Sequence, residues 1–258
     1  MQSYIERSRQ IRNLYMPPEN KEHFYGQFRI NFLQIRELFA ENRAYLNDEV
    51  FTPLKDIDAI SEEKAQELLE LSDHLAYTET LEMVDVRLAF FIVNALEPYY
   101  EKRGNREKYI HCLFRREMLA YNVGQIFDRG RLTDALAGRY RGCILACAEK
   151  ASVFLDDVDG FAALPDKTQT ELLTIELFRA TGYERPYYDE PLILRQIGSY
   201  QRYIRRLLDP EIRKAAPNIK WDKQLYSAYT YLMDVQEFLD WHETPDCILR
   251  MLDDAGDQ

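Results

Sequence analysis

The sequence predicts an all-α protein, an α-α superhelix built from antiparallel helix pairs. Three observations lead there. Apolar residues recur at three- and four-residue spacing along most of the 258 residues. Only 10 Gly and 10 Pro are present, fewer turn formers than a many-stranded protein needs. No stretch shows sustained period-two alternation, so no strand is predicted.

Taken in order, residues 4–15 and 20–47 read as helices. The second carries Phe24, Phe28, Phe32, Ile35, Leu38 and Phe39 as one apolar stripe. Residues 48–60 contain Pro53 and read as a loop. Ser61 is an N-cap, with Glu62 and Glu63 where the helix dipole favours negative charge, for a helix running to about Tyr77. The helix over 80–102 is apolar almost all round (Val84, Leu88, Phe90, Phe91, Ile92, Val93, Leu96) and belongs inside. Gly104 ends it as a left-handed C-cap, and a partner helix follows over 106–127. Asp128-Arg129-Gly130 turns the chain into helix 133–156, after which Asp156 to Pro165 breaks it again. Asp166 with Gln169 resembles a capping box for a helix closed by Gly182. Helices over 189–208 and 222–242 follow, with a short one opened by Asp209-Pro210 between them and another from Thr244-Pro245 to Leu252.

The helices group as pairs: 80–102 with 106–127, 133–156 with 167–181, and 189–208 with 222–242. Pair starts fall about 50 residues apart, and short connections make partners antiparallel. One domain over 1–258 is expected, with helices and a loop in 1–60, stacked pairs in 61–252 and a disordered tail over 253–258. The run Tyr99-Tyr100-Glu101-Lys102-Arg103-Gly104-Asn105 resembles the inter-helix turn of a tetratricopeptide repeat. Tyr109 stands where that family has a small residue, and the other pairs lack the motif. The resemblance therefore implies degenerate repeats.

A second resemblance spans about 40–240. The Ser-Glu-Glu helix, Val86-Arg87-Leu88-Ala89 and Tyr99 to Gly104 follow in the order found in the helical region that precedes cyclase domains in Firmicutes GGDEF (diguanylate cyclase) proteins. That similarity implies a sensory or partner-binding input region. No GGDEF sequence and no His-Asp phosphohydrolase signature occurs in the 258 residues.

Composition narrows the classes of function. A formal net charge of −11 argues against a general nucleic-acid surface, which needs a local excess of Lys and Arg. The most apolar run, Leu88 to Leu96, contains Asn94 and falls short of the roughly 20 residues of a membrane span. The amino-terminal segment, with Glu6, Arg7, Arg9 and Arg12, does not read as a secretory signal. Cys112, Cys143, Cys147 and Cys247 are too scattered for a disulfide framework, so a cytoplasmic location is expected.

Candidate chemistry is sparse. Asp156, Asp157 and Asp159 form the most suggestive cluster for Mg²⁺, yet they match neither the paired-aspartate motif of terpene synthases nor a calcium loop at every ligand. Asp253-Asp254-Ala255-Gly256-Asp257 has the aspartate spacing but lies in the terminal tail. His23, His74, His111 and His242 belong to no paired metal signature. Cys143 and Cys147 lie one turn apart on an apolar face, where free cysteine packs as a small hydrophobe. No catalytic residue, metal or cofactor is assigned.

The sequence is thus expected to encode a non-catalytic regulatory or sensory module in bacterial signalling. Its partner is a protein or peptide, or a small anionic ligand, and oligomerisation is compatible with it. The alternatives are a small helical Mg-dependent enzyme acting on a phosphorylated substrate and an architectural dimerisation protein. The binding site is placed on helix 189–208, at Arg195, Tyr200, Arg202 and Arg206, beside the small residues Gly198 and Ser199. Arginines there would complement an acidic or phosphate-bearing partner.

Overall fold

In a computed structural model, residues 1–15, 24–76, 83–127, 134–179 and 190–236 are described. All their regular structure is helical and no strand occurs among them. The expected turn at 128–130, the stop at Gly182, the helix to Leu252, the tail, His23, His242 and Cys247 lie outside the described residues. The chain divides into two compact units, Met1–Thr80 and Leu81–Gln258. The Ser61 helix thus groups with the amino-terminal elements, where the sequence had placed it among the stacked pairs. No helix among the described residues is long and apolar enough to cross a membrane.

In the first unit, α1 (Gln2–Tyr15) packs against α2 (Phe24–Tyr45). Tyr4 stacks on Tyr45 with ring centroids 5.3 Å apart. Asn42 accepts from Arg7 Nε at 2.8 Å and donates to Ser8 Oγ at 3.0 Å. These pairings, early in α1 and late in α2, make the two helices antiparallel. Of the aromatic stripe expected on α2, Ile35 is buried but Phe39 is 53% exposed. The side chains of Phe24, Phe28 and Phe32 lie outside the described residues.

The loop expected over 48–60 is mostly helical. A π-helical turn (Leu46–Phe51) continues α2, α3 (Thr52–Lys55) follows, and a 3₁₀ turn covers Ile57–Ala59. Pro53 does not break the chain, because the π-helical turn just before it runs on through Phe51 and Thr52 in helical conformation into α3. Val50 and Leu54 are thereby buried. Ser61 caps α4 (Glu62–Ala76) as expected, its Oγ accepting from Lys64 N at 3.1 Å. Lys64 Nζ reaches Glu49 Oε2 at 2.5 Å, and that hydrogen bond lowers the Glu49 pKa.

The second unit contains α5 (Met83–Lys102), α6 (Arg106–Phe127), α7 (Asp134–Asp156), α8 (Val158–Ala162), α9 (Asp166–Phe178), α10 (Glu190–Leu208), α11 (Pro210–Ala215) and α12 (Trp221–Gln236). The helices pack in the expected pairs, α5 with α6, α7 with α9 and α10 with α12. Tyr203 OH donates to Gln224 at 2.9 Å while Tyr200 stacks on Tyr231, so α10 and α12 run antiparallel. Across pairs, α6 and α9 run parallel, with His111 on Glu171 and Tyr121 on Phe178.

α5 is buried along most of its apolar run, as expected, and α6 is enclosed as well. It packs against α5, α7 and α9, and Tyr109, Ile110, His111, Cys112, Leu113, Arg115, Glu117, Leu119 and Ala120 are all buried. Phe91 on α5, expected inside, is 47% exposed. The capping box expected at Asp166 does not form. Pro165 is the N-cap, and Gln169 is buried and donates to Phe161 O at 2.9 Å.

The turn between α5 and α6 places everything that follows. Gly104 sits at φ 66°, Gly104 N donates to Glu101 O and Asn105 N to Tyr100 O, each at 3.1 Å. This is the paired-bond pattern of a Schellman stop. Asn105 Oδ1 then caps α6, accepting from Lys108 N at 3.2 Å. A Cβ on Gly104 would meet nothing within 4 Å, so the penalty for an L side chain is conformational. Gly104→Ala should cost about 1–2 kcal/mol in urea denaturation, with the helical circular dichroism signal preserved and Gly104→Asn losing less.

Candidate functional site

Helix periodicity places four glutamates on faces that the fold turns inward: Glu97 on α5, Glu117 on α6, and Glu171 and Glu176 on α9. A buried carboxylate must be paired or protonated. Glu97 is held by two cations from two other helices. Lys150 Nζ of α7 lies 2.5 Å from Oε1, and Arg116 of α6 pairs with Oε2. Glu171 meets His111 Nδ1 at 2.7 Å, with Lys167 3.7 Å away. Glu176 takes two arginines, Arg179 Nε at 3.0 Å and Arg202 Nε at 3.3 Å, and Arg179 also donates to Ala148 O at 2.8 Å.

That distribution leaves Glu117 without a cation of its own. It is fully buried, and neither carboxyl oxygen has a hydrogen-bond partner. Burial pushes its pKa well above the usual carboxylate value; the nearby Glu176 and Cys143 add to the shift and Arg179 opposes it. Its surroundings therefore favour the neutral carboxyl over the charged one. Beside it, Cys143 and Cys147 face α6 from α7, and both thiols are free. The signal in the sequence was a glutamate beside apolar neighbours, as in Leu96-Glu97 and Ile175-Glu176-Leu177. Which cation met which carboxylate required the packing of α5, α6, α7, α9 and α10.

A cleft of about 370 Å³ opens where the α5–α6 turn meets the outer half of α7. Tyr100, Tyr109, Val153 and Phe154 line it, with Lys150 and Arg106 among its cations. Val153 is 68% exposed although fully apolar. Tyr109 and Phe154 meet at 6.0 Å between centroids, and Tyr109 OH donates to Glu101 Oε1 at 3.3 Å. Burial, then the Glu101 charge, raises the Tyr109 phenol to about 12, so it stays a hydrogen-bonding neutral group.

The residues expected to bind a ligand on α10 do not form one site. Arg195 is exposed, but Tyr200 is 2% exposed and stacked on Tyr231 with ring centroids 6.4 Å apart. Arg202 is taken by Glu176. Arg206 donates to Leu155 O at 2.6 Å and Asp156 Oδ1 at 2.7 Å, satisfying a carbonyl at the end of α7. Asp157 is equally structural: its Oδ1 accepts from Gly160 N at 3.0 Å to cap α8. Among the described residues no three His, Cys, Asp or Glu side chains converge as metal ligands.

Fold and site define an all-α protein of packed helix pairs, with a charged core seam and an aromatic cleft at the α5–α6 turn. No protein family, curated protein or solved structure matches this sequence.

Two outcomes are expected. Arg206→Ala should cost about 1.5–3 kcal/mol, because it strips a charged donor from a half-buried helix end, and thermal denaturation should show the loss. The raised Glu117 pKa means its contribution to stability is full below the unfolded value of 4.5 and is lost as pH rises towards the folded pKa. Glu117→Gln lacks that titration. The stability difference between variant and parent should therefore move in favour of Gln from about pH 4.5 upward in urea melts at a series of pH values.

Proposed function

We propose that the chain is a non-catalytic helical-repeat module, tetratricopeptide-like in its middle, that binds a short protein segment as an input element in bacterial signalling. The aromatic cleft beside the Gly104 turn is the observation that carries this reading. An exposed valine next to two aromatic walls offers apolar area for one anchoring side chain. Arg106 favours a segment that carries Asp or Glu beside that anchor. The Tyr99 to Asn105 run supports the reading, since it resembles a tetratricopeptide turn in sequence and forms a tight antiparallel connection between α5 and α6. The Mg-dependent alternative draws no support from Asp156 and Asp157, which are engaged with Arg206 and the start of α8.

Selection of a random dodecapeptide phage library on the immobilised chain tests the proposal. Enriched peptides should share an apolar anchor next to an acidic residue. Val153→Arg puts bulk and charge at the cleft mouth on a solvent-exposed position, where stability should change by no more than about 0.5 kcal/mol. That variant should bind the selected peptides at least about tenfold more weakly by fluorescence polarisation. Peptides that bind parent and variant equally, or a selection that enriches nothing, would remove the cleft as the binding site.

A further inference from the structure

The cleft beside the Gly104 turn offers two kinds of surface. Val153, 68% exposed, and the Tyr109 and Phe154 rings are apolar, while Arg106 is exposed on the first turn of α6. The amino-terminal end of that helix adds partial positive charge of its own. A complementary occupant brings an apolar side chain and a carboxylate together. Outside the described helices of the second unit, residues 237–258 have that chemistry. They hold seven carboxylates against a single arginine, and so account for −6 of the net −11. Within them Met251-Leu252 is followed directly by Asp253-Asp254. Residues 128–133 carry two arginines against one aspartate. Residues 180–189 follow the end of α9, which starts beside the end of α7 and finishes away from it.

Reach selects the part of 237–258 that fits. Gln224 on α12 meets Tyr203 and Tyr231 meets Tyr200, while Arg206 late in α10 reaches Leu155 at the end of α7. α12 therefore starts towards the cleft end of α7 and finishes, at Gln236, about 23 Å back along its axis. Two helix spacings of about 8–10 Å each separate it from α7, which makes a straight span of roughly 30 Å. Trp241 stands five residues beyond Gln236 and extends about 18 Å at most, which is too short. Leu252 stands sixteen residues beyond. Its reach is roughly 50 Å fully extended, and roughly 35 Å with a helix over Thr244 to Leu252.

We propose that in the free chain the cleft is occupied by the chain's own residues 251–254, which an external partner segment has to displace. The inference rests on the cleft being a peptide site, and it adds regulation to that site. Leu252 takes the anchor position against Val153 and Phe154, and Asp253 and Asp254 complement Arg106 and the start of α6. A ligand joined through the chain competes at an effective concentration of about 1 mM. An intrinsic affinity of only about 0.1 mM then keeps the site about nine-tenths filled and weakens an external segment about tenfold. The internal contact is thus strong enough to exclude weak binders and weak enough to yield to a good one.

The test uses the full chain, with a fluorescein-labelled synthetic peptide of residues 246–258 as probe. Leu252→Ser, Asp253→Asn and Asp254→Asn together remove the internal occupant without altering any described helix, and circular dichroism should match the parent. By fluorescence polarisation the probe should bind this triple variant about tenfold more tightly than the parent. Adding Val153→Arg to the triple variant should weaken the probe at least about tenfold. In the otherwise unaltered chain, p-benzoylphenylalanine in place of Leu252 should crosslink on irradiation to the tryptic peptide of residues 151–167 of the same chain. Equal probe affinity for parent and triple variant, or crosslinks that fall elsewhere or join two chains, overturns the internal occupant. The phage-selected peptides separate this failure from that of the cleft itself. If they bind parent and triple variant alike but lose affinity in Val153→Arg, the cleft stands as a peptide site and only its internal occupant is removed. If Val153→Arg leaves them unaffected, the peptide site fails and the inference with it.

Discussion

A carboxylate taken out of water demands compensation, and Glu97 obtains it from two neighbouring helices at once. The clamp joins α5 to α6 through Arg116 and α5 to α7 through Lys150. Removing one partner from such a buried pairing typically costs about 3–5 kcal/mol, because the remaining charge is left uncompensated. Lys150 also stands at the aromatic cleft. One wall of the cleft is thus held by a glutamate buried on another helix.

The second seam follows the same rule with a different result. Glu176 pairs with Arg179 and Arg202, and the cost falls on Glu117, which stays buried without a cation and whose pKa is pushed up. Arg202 and Arg206, which the sequence offered as ligand contacts, are consumed in this arrangement by α9 and by the end of α7. An arginine at helical spacing looks identical whether its partner is a ligand or the next helix, so the sequence could not separate the two.

Local chemistry was legible because local rules govern it. Ser61 and Asp209 cap the helices they precede, and Gly104 adopts the left-handed conformation its position implied. The failures share one cause. Pro53 read as a break because helix interiors exclude proline, but a π-helical turn directly before it carries the helical backbone past it. Asp166 and Gln169 had capping-box spacing, yet burial turned Gln169 onto Phe161 O. α5 is buried as its apolar run implied, but α6 is enclosed too, with Arg115, Glu117 and His111 on it. Polar residues inside a protein are misread as surface until their partners are known.

The sequence by itself determined the helical class, the helix pairs and most of their limits. Those depend on backbone propensity, capping and apolar periodicity, which act within a few turns of chain. Only the tertiary structure decided that Glu97 binds Arg116 and Lys150, that Arg206 closes α7, and that Val153 stands open beside Tyr109 and Phe154. The polar contacts among them join residues 19, 53 and 51 positions apart. Which charge meets which, and which apolar side chain stays uncovered, is set by how helices dock, and no local signal carries that choice.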